Sequence, residues 1–191
     1  AILAGQRAMS ATDLAIVGAV AAQRGWVQAF FDALATIGRD DPGITRDTFG
    51  EGESRAHLLL RDHGQARGLE VATDLAANSY VTLPGRDRRA PKILMGSHLD
   101  SVPHGGNFDG AAGVVAGLVV TEVLRALGIR PACDVTTMGV RAEESVWFQV
   151  SYIGSRAALG TLPDGALEAK RIDDGSVLAT RIAACGGDVA A

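Results

Sequence analysis

The run from Lys92 to Val140 constrains this chain more than any other, because it reads as strand, long helix, strand. Lys92 to Gly96 (KILMG) is apolar at its centre without alternation, the pattern of a strand buried on both faces. Gly110 to Leu127 is rich in Ala, Gly and Val, which suits a helix lying close on a sheet, and Gly128 and Pro131 end it. Asp134 to Val140 supplies the next strand. Two strands joined by a helical crossover pair in parallel, so this is a βαβ unit. The class is α/β: a mixed, mostly parallel sheet flanked by helices.

The flanks add helices and short strands. Ala11 to Ile37 is expected to be helical, with Trp26, Phe30, Ala33, Leu34 and Ile37 on one apolar stripe and Asp41-Pro42-Gly43 as its stop. Glu53 to Arg67 fits a second helix, with Leu58, Leu59 and Leu60 toward the core and Gly68 after it. Short strands fit Leu69 to Ala72 and Ser79 to Leu83, and further helices fit Val150 to Leu159 and Gly175 to Ala184. With 191 residues, 47% of them apolar, one domain with its own core is expected.

Charge and cysteine usage narrow the partners. A net charge of −4 leaves no basic footprint for nucleic acid or an anionic membrane. Arg86, Arg88 and Arg89 read as a solvated loop between Gly85 and Pro91. Leu14 to Ala22 has the length of a signal-peptide core, but only Arg7 precedes it as a cation and Asp13 abuts it. Ala111 to Val120 is interrupted by Thr121 and Glu122, short of the about 20 residues a membrane span needs. Both stretches are expected to be buried helices of a soluble chain. Cys133 and Cys185 lack CxxC partners and make no disulfide framework, which favours a reducing, cytoplasmic compartment.

Reactive groups in open α/β sheets gather beyond the C-terminal ends of the strands. After the first strand of the unit come His98, Asp100, Gly105, Gly106, Asp109 and Gly110; after the second come Arg141, Glu143 and Glu144. One imidazole and four carboxylates therefore meet at one edge, which is the donor set of a pair of divalent ions. His98 offers a ring nitrogen, and Asp100, two residues on, is placed to accept its other N–H and fix the tautomer. Asp109 could bridge two ions, while Gly105, Gly106 and Gly110 would let the backbone come close. Adjacent acids at a strand end repel unless one binds a cation, so Glu144 is assigned as ligand and Glu143 as general base toward metal-bound water.

Each residue alone has a plainer reading. A histidine near a turn is usually structural, a Glu-Glu pair usually starts a solvated helix, and Asp109 could be only an N-cap. It is the set of three (HxD after a strand, GGxFDG before a long helix, EE after the next strand) that points to a metal centre. His104 is expected to be an exposed loop residue, and His57 and His63 to be surface residues of the second helix. Asn78 is expected to be a turn residue, and Arg141 and Arg156 local ion-pair partners more than carboxylate binders. Gly113-Val114-Val115-Ala116-Gly117 sits inside a helix and does not read as a dinucleotide loop.

Met95 to Pro103 (MGSHLDSVP), Gly105 to Gly110 (GGNFDG), Glu143-Glu144, and Phe148 with Gly154 to Ala157 (GSRA) together resemble the hydantoinase/carbamoylase family. That family holds N-carbamoyl-L-amino-acid hydrolases, β-ureidopropionases and allantoate amidohydrolases, within the aminoacylase and carboxypeptidase clan of co-catalytic metallohydrolases. The resemblance runs from about Gln28 onward. It implies hydrolysis of linear amides, with N-carbamoyl-L-amino acids or related ureido compounds as small-molecule substrates. It implies two divalent ions, zinc or else manganese, nickel or cobalt, held by His98, Asp109 as bridge and Glu144, with Glu143 as base and Asp100 orienting His98. It also implies that residues 1–191 are the N-terminal part of a catalytic domain whose remaining ligands, lid and dimerisation domain lie elsewhere, in a C-terminal half or a second chain of a homodimeric protein. Alone, three ligands leave two ions under-coordinated, so little activity is expected. Ser145 stands where the family usually has Gly. The alternatives are an N-acyl amino acid deacylase or peptidase of the same clan, and a non-catalytic subunit or remnant.

Overall fold

In the computed structural model, which describes residues 9–190, the strand–helix–strand unit sets the frame. Strand β3 (Ile93–His98), helix α4 (Ala111–Ala126) and strand β4 (Val135–Val140) follow in order, and β3 and β4 pair in parallel from Ile93↔Val135 to His98↔Val140. Helix α4 lays Ala111, Val114, Val115 and Leu118 into the main core. Before this unit come α1 (Ala11–Ala21), α2 (Arg24–Ala35), α3 (Glu51–Ala66), β1 (Glu70–Thr73) and β2 (Ser79–Leu83); after it come α5 (Ile153–Ala158) and α6 (Leu178–Ala184).

The sheet is mixed, in the order β1-β2-β4-β3. Parallel pairing is confined to β3 and β4; β1 with β2 and β2 with β4 are antiparallel. Within the described residues the sheet is thus less parallel than the sequence suggests. The link between β1 and β2 is too short for a crossover, which forces a hairpin.

The strand buried on both faces is β4, every residue of which is buried, and not β3, where Ile93 is 55% and Leu94 49% exposed. The threonines Thr136 and Thr137 hide the central strand in the sequence, while the apolar KILMG run marks an edge.

The N-terminal helix is also not as expected. It divides at residues 22–23 into α1 and α2. Helix α2 carries the anticipated stripe, with Phe30 and Leu34 buried beside Trp26. Helix α1, read as buried, buries nothing: Leu14, Ile16, Val17 and Val20 are all exposed. It is apolar around its whole circumference, so no stripe selects a face for packing. Among the described residues, Ala11–Ala35 is the one stretch long and apolar enough to cross a membrane by length and composition, although its second half is committed to the core. Arg7 lies outside the described residues.

Helix α3 corrects two further expectations. Its core face is Glu53, Ala56, His57, Leu60 and Gly64, while Leu58 points outward. His57 lies three residues before Leu60 and His63 three after it, which puts both on the inner side. His57 is fully buried and bonds Ser79 Oγ through Nδ1 at 2.9 Å. His63 is half-buried between the rings of Trp26 and Phe30. A second, smaller core of Phe49, Trp147, Phe148, Ile153, Leu178 and Ile182 lies under the segment that follows β4.

Candidate metal centre

The ends of β3 and β4 deliver the candidate residues to one place. His98 closes β3, the segment 141–144 leaves β4, and Asp109 precedes α4. One donor atom from each of His98, Asp109 and Glu144 can be chosen so that all lie within 4.8 Å of one another. His98 Nε2 lies 3.8 Å from Asp109 Oδ1, too far for a hydrogen bond and open to a bridging cation. Beside them a cleft of about 270 Å³ is lined by His98, Glu143, Glu144, Ser145, Ser151 and Tyr152.

The four carboxylates sort into two kinds. Asp100 is fully buried and saturated: its oxygens accept Thr48 Oγ1 at 2.7 Å and the backbone amides of Glu143 and Glu144 at 3.2 and 3.1 Å, and Oδ1 lies 3.3 Å from His98 Nδ1. Glu143 is satisfied by Ser155, whose amide meets Oε1 at 2.9 Å and whose hydroxyl meets Oε2 at 3.0 Å. The carboxylates of Asp109 and Glu144, by contrast, accept no hydrogen bond from the described residues. Two partnerless carboxylates beside an imidazole nitrogen are a donor set that suits borderline divalent ions such as zinc, manganese, cobalt or nickel. The residues fit a metal.

The electrostatics agree with that fit. His98 is lifted to about 9: burial pulls it down, but the hydrogen bond and charge of Asp100, its backbone carbonyl at 3.0 Å and the charge of Asp109 outweigh burial. Glu144 is pushed up, first by burial and then by Asp100, Asp109 and Glu143, against the pull of His98. Uncompensated negative charge of this kind is what a cation would relieve.

The segment 141–144 is held amide by amide. The N–H of Arg141 donates to Asn78 Oδ1 at 2.8 Å, that of Ala142 to Glu53 Oε1 at 2.8 Å, and those of Glu143 and Glu144 to Asp100. Ala142 takes a left-handed φ of 56° within this cradle, whereas Ser145 does not, so serine fits where glycine was expected. Arg141 is the ion-pair partner anticipated, bonding buried Glu53 at 2.9 Å. Arg156 lies over the ring of Tyr152, 5.7 Å from its centroid.

Four contributors were not legible as such. Asn78, read as a turn residue, is fully buried and bonds both Arg141 and Gly154. Thr48 and Glu53 were given no role, and Ser155 entered only as part of the GSRA run. Besides that run, Glu53 leaves a sequence signal, an acid at helical spacing from buried Ala56, His57 and Leu60. His104 sits outside the cluster, exposed and 3.1 Å from Asp40. Of the three glycines, Gly110 has φ of 63° and packs on His98, so that a Cβ there would strike its carbonyl and ring; Gly106 faces open space. A larger cavity of about 400 Å³, lined by Leu75, Tyr80, Leu162 and Ile182 among others, contains none of the site residues.

Residues 78–172 match the profile of Peptidase family M28. The chain is 38% identical over 138 residues to an N-carbamoyl-L-amino acid amidohydrolase of Geobacillus stearothermophilus, covering 72% of this chain and 34% of that protein. A hydantoinase/carbamoylase family amidase from Burkholderia ambifaria superposes with a TM-score of 0.79 at 31% identity, over 86% of this chain and 41% of that one. The chain belongs to the hydantoinase/carbamoylase family. A ureidoglycolate hydrolase of Arabidopsis thaliana is a further relative, 28% identical over 120 residues. This hydantoinase/carbamoylase chain spans between 25% and 41% of the length of these relatives.

Proposed function

We infer that the chain supplies His98, Asp109 and Glu144 as ligands, and Glu143 as general base, to an amidohydrolase acting on N-carbamoyl-L-amino acids or related ureido compounds. The observation that carries this reading is the sorting of the carboxylates: Asp109 and Glu144 converge with His98 and accept no hydrogen bond among the described residues, while Asp100 and Glu143 are tied to protein donors. Two divalent ions at such a site would supply Lewis acidity, polarising an amide carbonyl and making water more acidic.

The protein's own groups divide the remaining work. Asp100 occupies the Nδ1 side of His98, which leaves Nε2 facing Asp109. Glu143, on the wall of the cleft, is placed to take a proton from the attacking water and pass it to the leaving nitrogen as the C–N bond breaks. Three ligands do not fill two coordination shells of about four donors each. In this reading further donors come from outside residues 1–191, in a longer polypeptide or a second chain, as do the lid and the surfaces of a homodimer. The two free thiols agree with a cytoplasmic setting.

The match to Peptidase family M28 favours a second reading, an N-acyl amino acid deacylase or peptidase built on the same centre. Zn²⁺ titration of the wild-type chain and of His98→Ala and Glu144→Gln, with assays on N-carbamoyl and N-acetyl amino acids in the presence of the polypeptide that supplies the remaining donors, separates the possibilities. Zn²⁺ affinity should fall by at least ~10-fold in both variants. Equal affinity in all three chains would defeat the metal centre, and faster turnover of acetyl substrates would defeat the carbamoyl preference.

A further inference from the structure

The geometry assigns to Ser155 the task of keeping Glu143 out of the ligand set, a positioning role that rests on the metal-centre reading above. Glu143 and Glu144 are neighbours on one short segment, and both line the same cleft. Only Glu144 joins the convergent group with His98 and Asp109. Nothing in the chemistry of the two side chains distinguishes them. An ionised carboxylate on a flexible stem beside two dications would be drawn into their coordination. A carboxylate bound in that way is no longer free to accept a proton from water.

Ser155 supplies the distinction with two donors from one residue. Its amide and hydroxyl each hold a different oxygen of Glu143, at 2.9 and 3.0 Å. Its position is set by backbone pairing, because the amides of Tyr152, Ile153 and Gly154 donate in turn to the carbonyls of Glu143, Ala142 and Arg141, at 3.1, 2.9 and 3.1 Å. Gly154 allows this approach: a Cβ there would collide with the carbonyl of Arg141 and the side chain of Asn78. The segment that carries both glutamates is therefore laced to the residue that restrains one of them. Glu144 has no such clamp among the described residues.

Co²⁺ added to the chain alone tests this, since its visible absorption reports the number of ligands. Glu143→Gln should leave the Co²⁺ spectrum as in the wild type. Ser155→Ala, at a half-buried position where the fold can be checked by circular dichroism, keeps the amide on Oε1 but frees Oε2 of Glu143 to reach the metal. The expected result is a weaker, higher-coordinate Co²⁺ spectrum and a shift of ~10-fold toward tighter binding, the scale on which groups around a metal's ligands act. Ser155→Thr, which keeps the hydroxyl, should restore the wild-type spectrum, and so should Ser155→Ala combined with Glu143→Gln. The assignment is overturned if Ser155→Ala matches the wild type in spectrum and affinity, or if Glu143→Gln alone alters the wild-type spectrum. A chain that does not bind Co²⁺, or binds it equally well after His98→Ala, overturns the metal centre itself and this assignment with it.

Discussion

The carboxylate of Asp100, just beyond β3, accepts the backbone amide of Glu144, just beyond β4, at 3.1 Å. One side chain thus ties together the two strand ends that carry the candidate ligands, and the same carboxylate also faces His98 and the amide of Glu143. Asp100 belongs to the site by holding it in shape.

Asp100→Ala should accordingly affect both stability and metal binding. It leaves the hydroxyl of Thr48 and two amides without an acceptor, while the ring N–H of His98 keeps only the backbone carbonyl of residue 100, at 3.0 Å. At about 1–3 kcal/mol for each buried group left unsatisfied, some of them relieved by water, the loss should reach about 3–5 kcal/mol in urea unfolding. Asp100→Asn keeps one oxygen and should lose less stability. Because the neutral amide no longer orients His98 by charge, its Zn²⁺ affinity should still fall by ~10–100-fold in calorimetric titration. Wild-type Zn²⁺ affinity in Asp100→Asn would show that the contact to His98 is incidental.

His63 makes the fold sensitive to acid. Burial, helped by the charge of Arg67, holds its imidazole down at about 4, against an unfolded value near 6.5. The unfolded chain therefore takes up a proton in the window between those values that the folded chain refuses. Stability from this residue is fully present above about 6.5 and is lost as the pH falls toward 4. His63→Phe keeps a ring between Trp26 and Phe30 and removes the titration. Relative to that variant, the wild type should weaken by about 1–2 kcal/mol from pH 7 to pH 4.5, after allowance for solvent screening at a half-buried group. Parallel stability–pH curves for the two proteins would count against this origin.

Physical reasons separate what the sequence made legible from what it hid. The βαβ unit was readable because its helix and bounding turns are local patterns, and the candidate site residues because they lie at strand ends or just before the crossover helix. The order of the strands was not, since pairing β4 between β2 and β3 depends on contacts far apart in the chain, and apolar content alone put the centre of the sheet at β3. The exposure of α1 was hidden because an evenly apolar helix carries no direction. The ligands could be proposed from residue type, but the donors that hold them could not. Thr48, Glu53, Asn78 and Ser155 reach the site only through the tertiary fold, from segments whose local patterns describe a turn or a helix.

The ion pair of Glu53 with Arg141 gives the most direct test of how the segment 141–144 is supported. Both side chains are buried, Glu53 also accepts the amides of Phe49 and Ala142, and Arg141 also reaches the carbonyl of Ala77. Burial pushes the Glu53 carboxyl up to about 7, against the downward pull of Arg141. An acid raised in the folded state contributes stability that is complete below its ordinary value of 4.5 and is lost as the pH rises through about 7. Arg141→Met removes the opposing charge, so Glu53 should rise further and the loss should extend to higher pH. The variant should therefore be destabilised by about 3–5 kcal/mol at pH 8, the scale for breaking one side of a buried pair, and by clearly less at pH 5. Adding Glu53→Gln should remove this pH dependence and recover part of the loss, leaving the double variant more stable at pH 8 than the sum of the two single changes implies. Denaturant unfolding of the four proteins at both pH values measures it. A deficit in Arg141→Met that is the same at pH 5 and pH 8 would show that the Arg141 side chain acts through its bonds to the Ala77 carbonyl and the Ser54 hydroxyl, and not through the charge of Glu53.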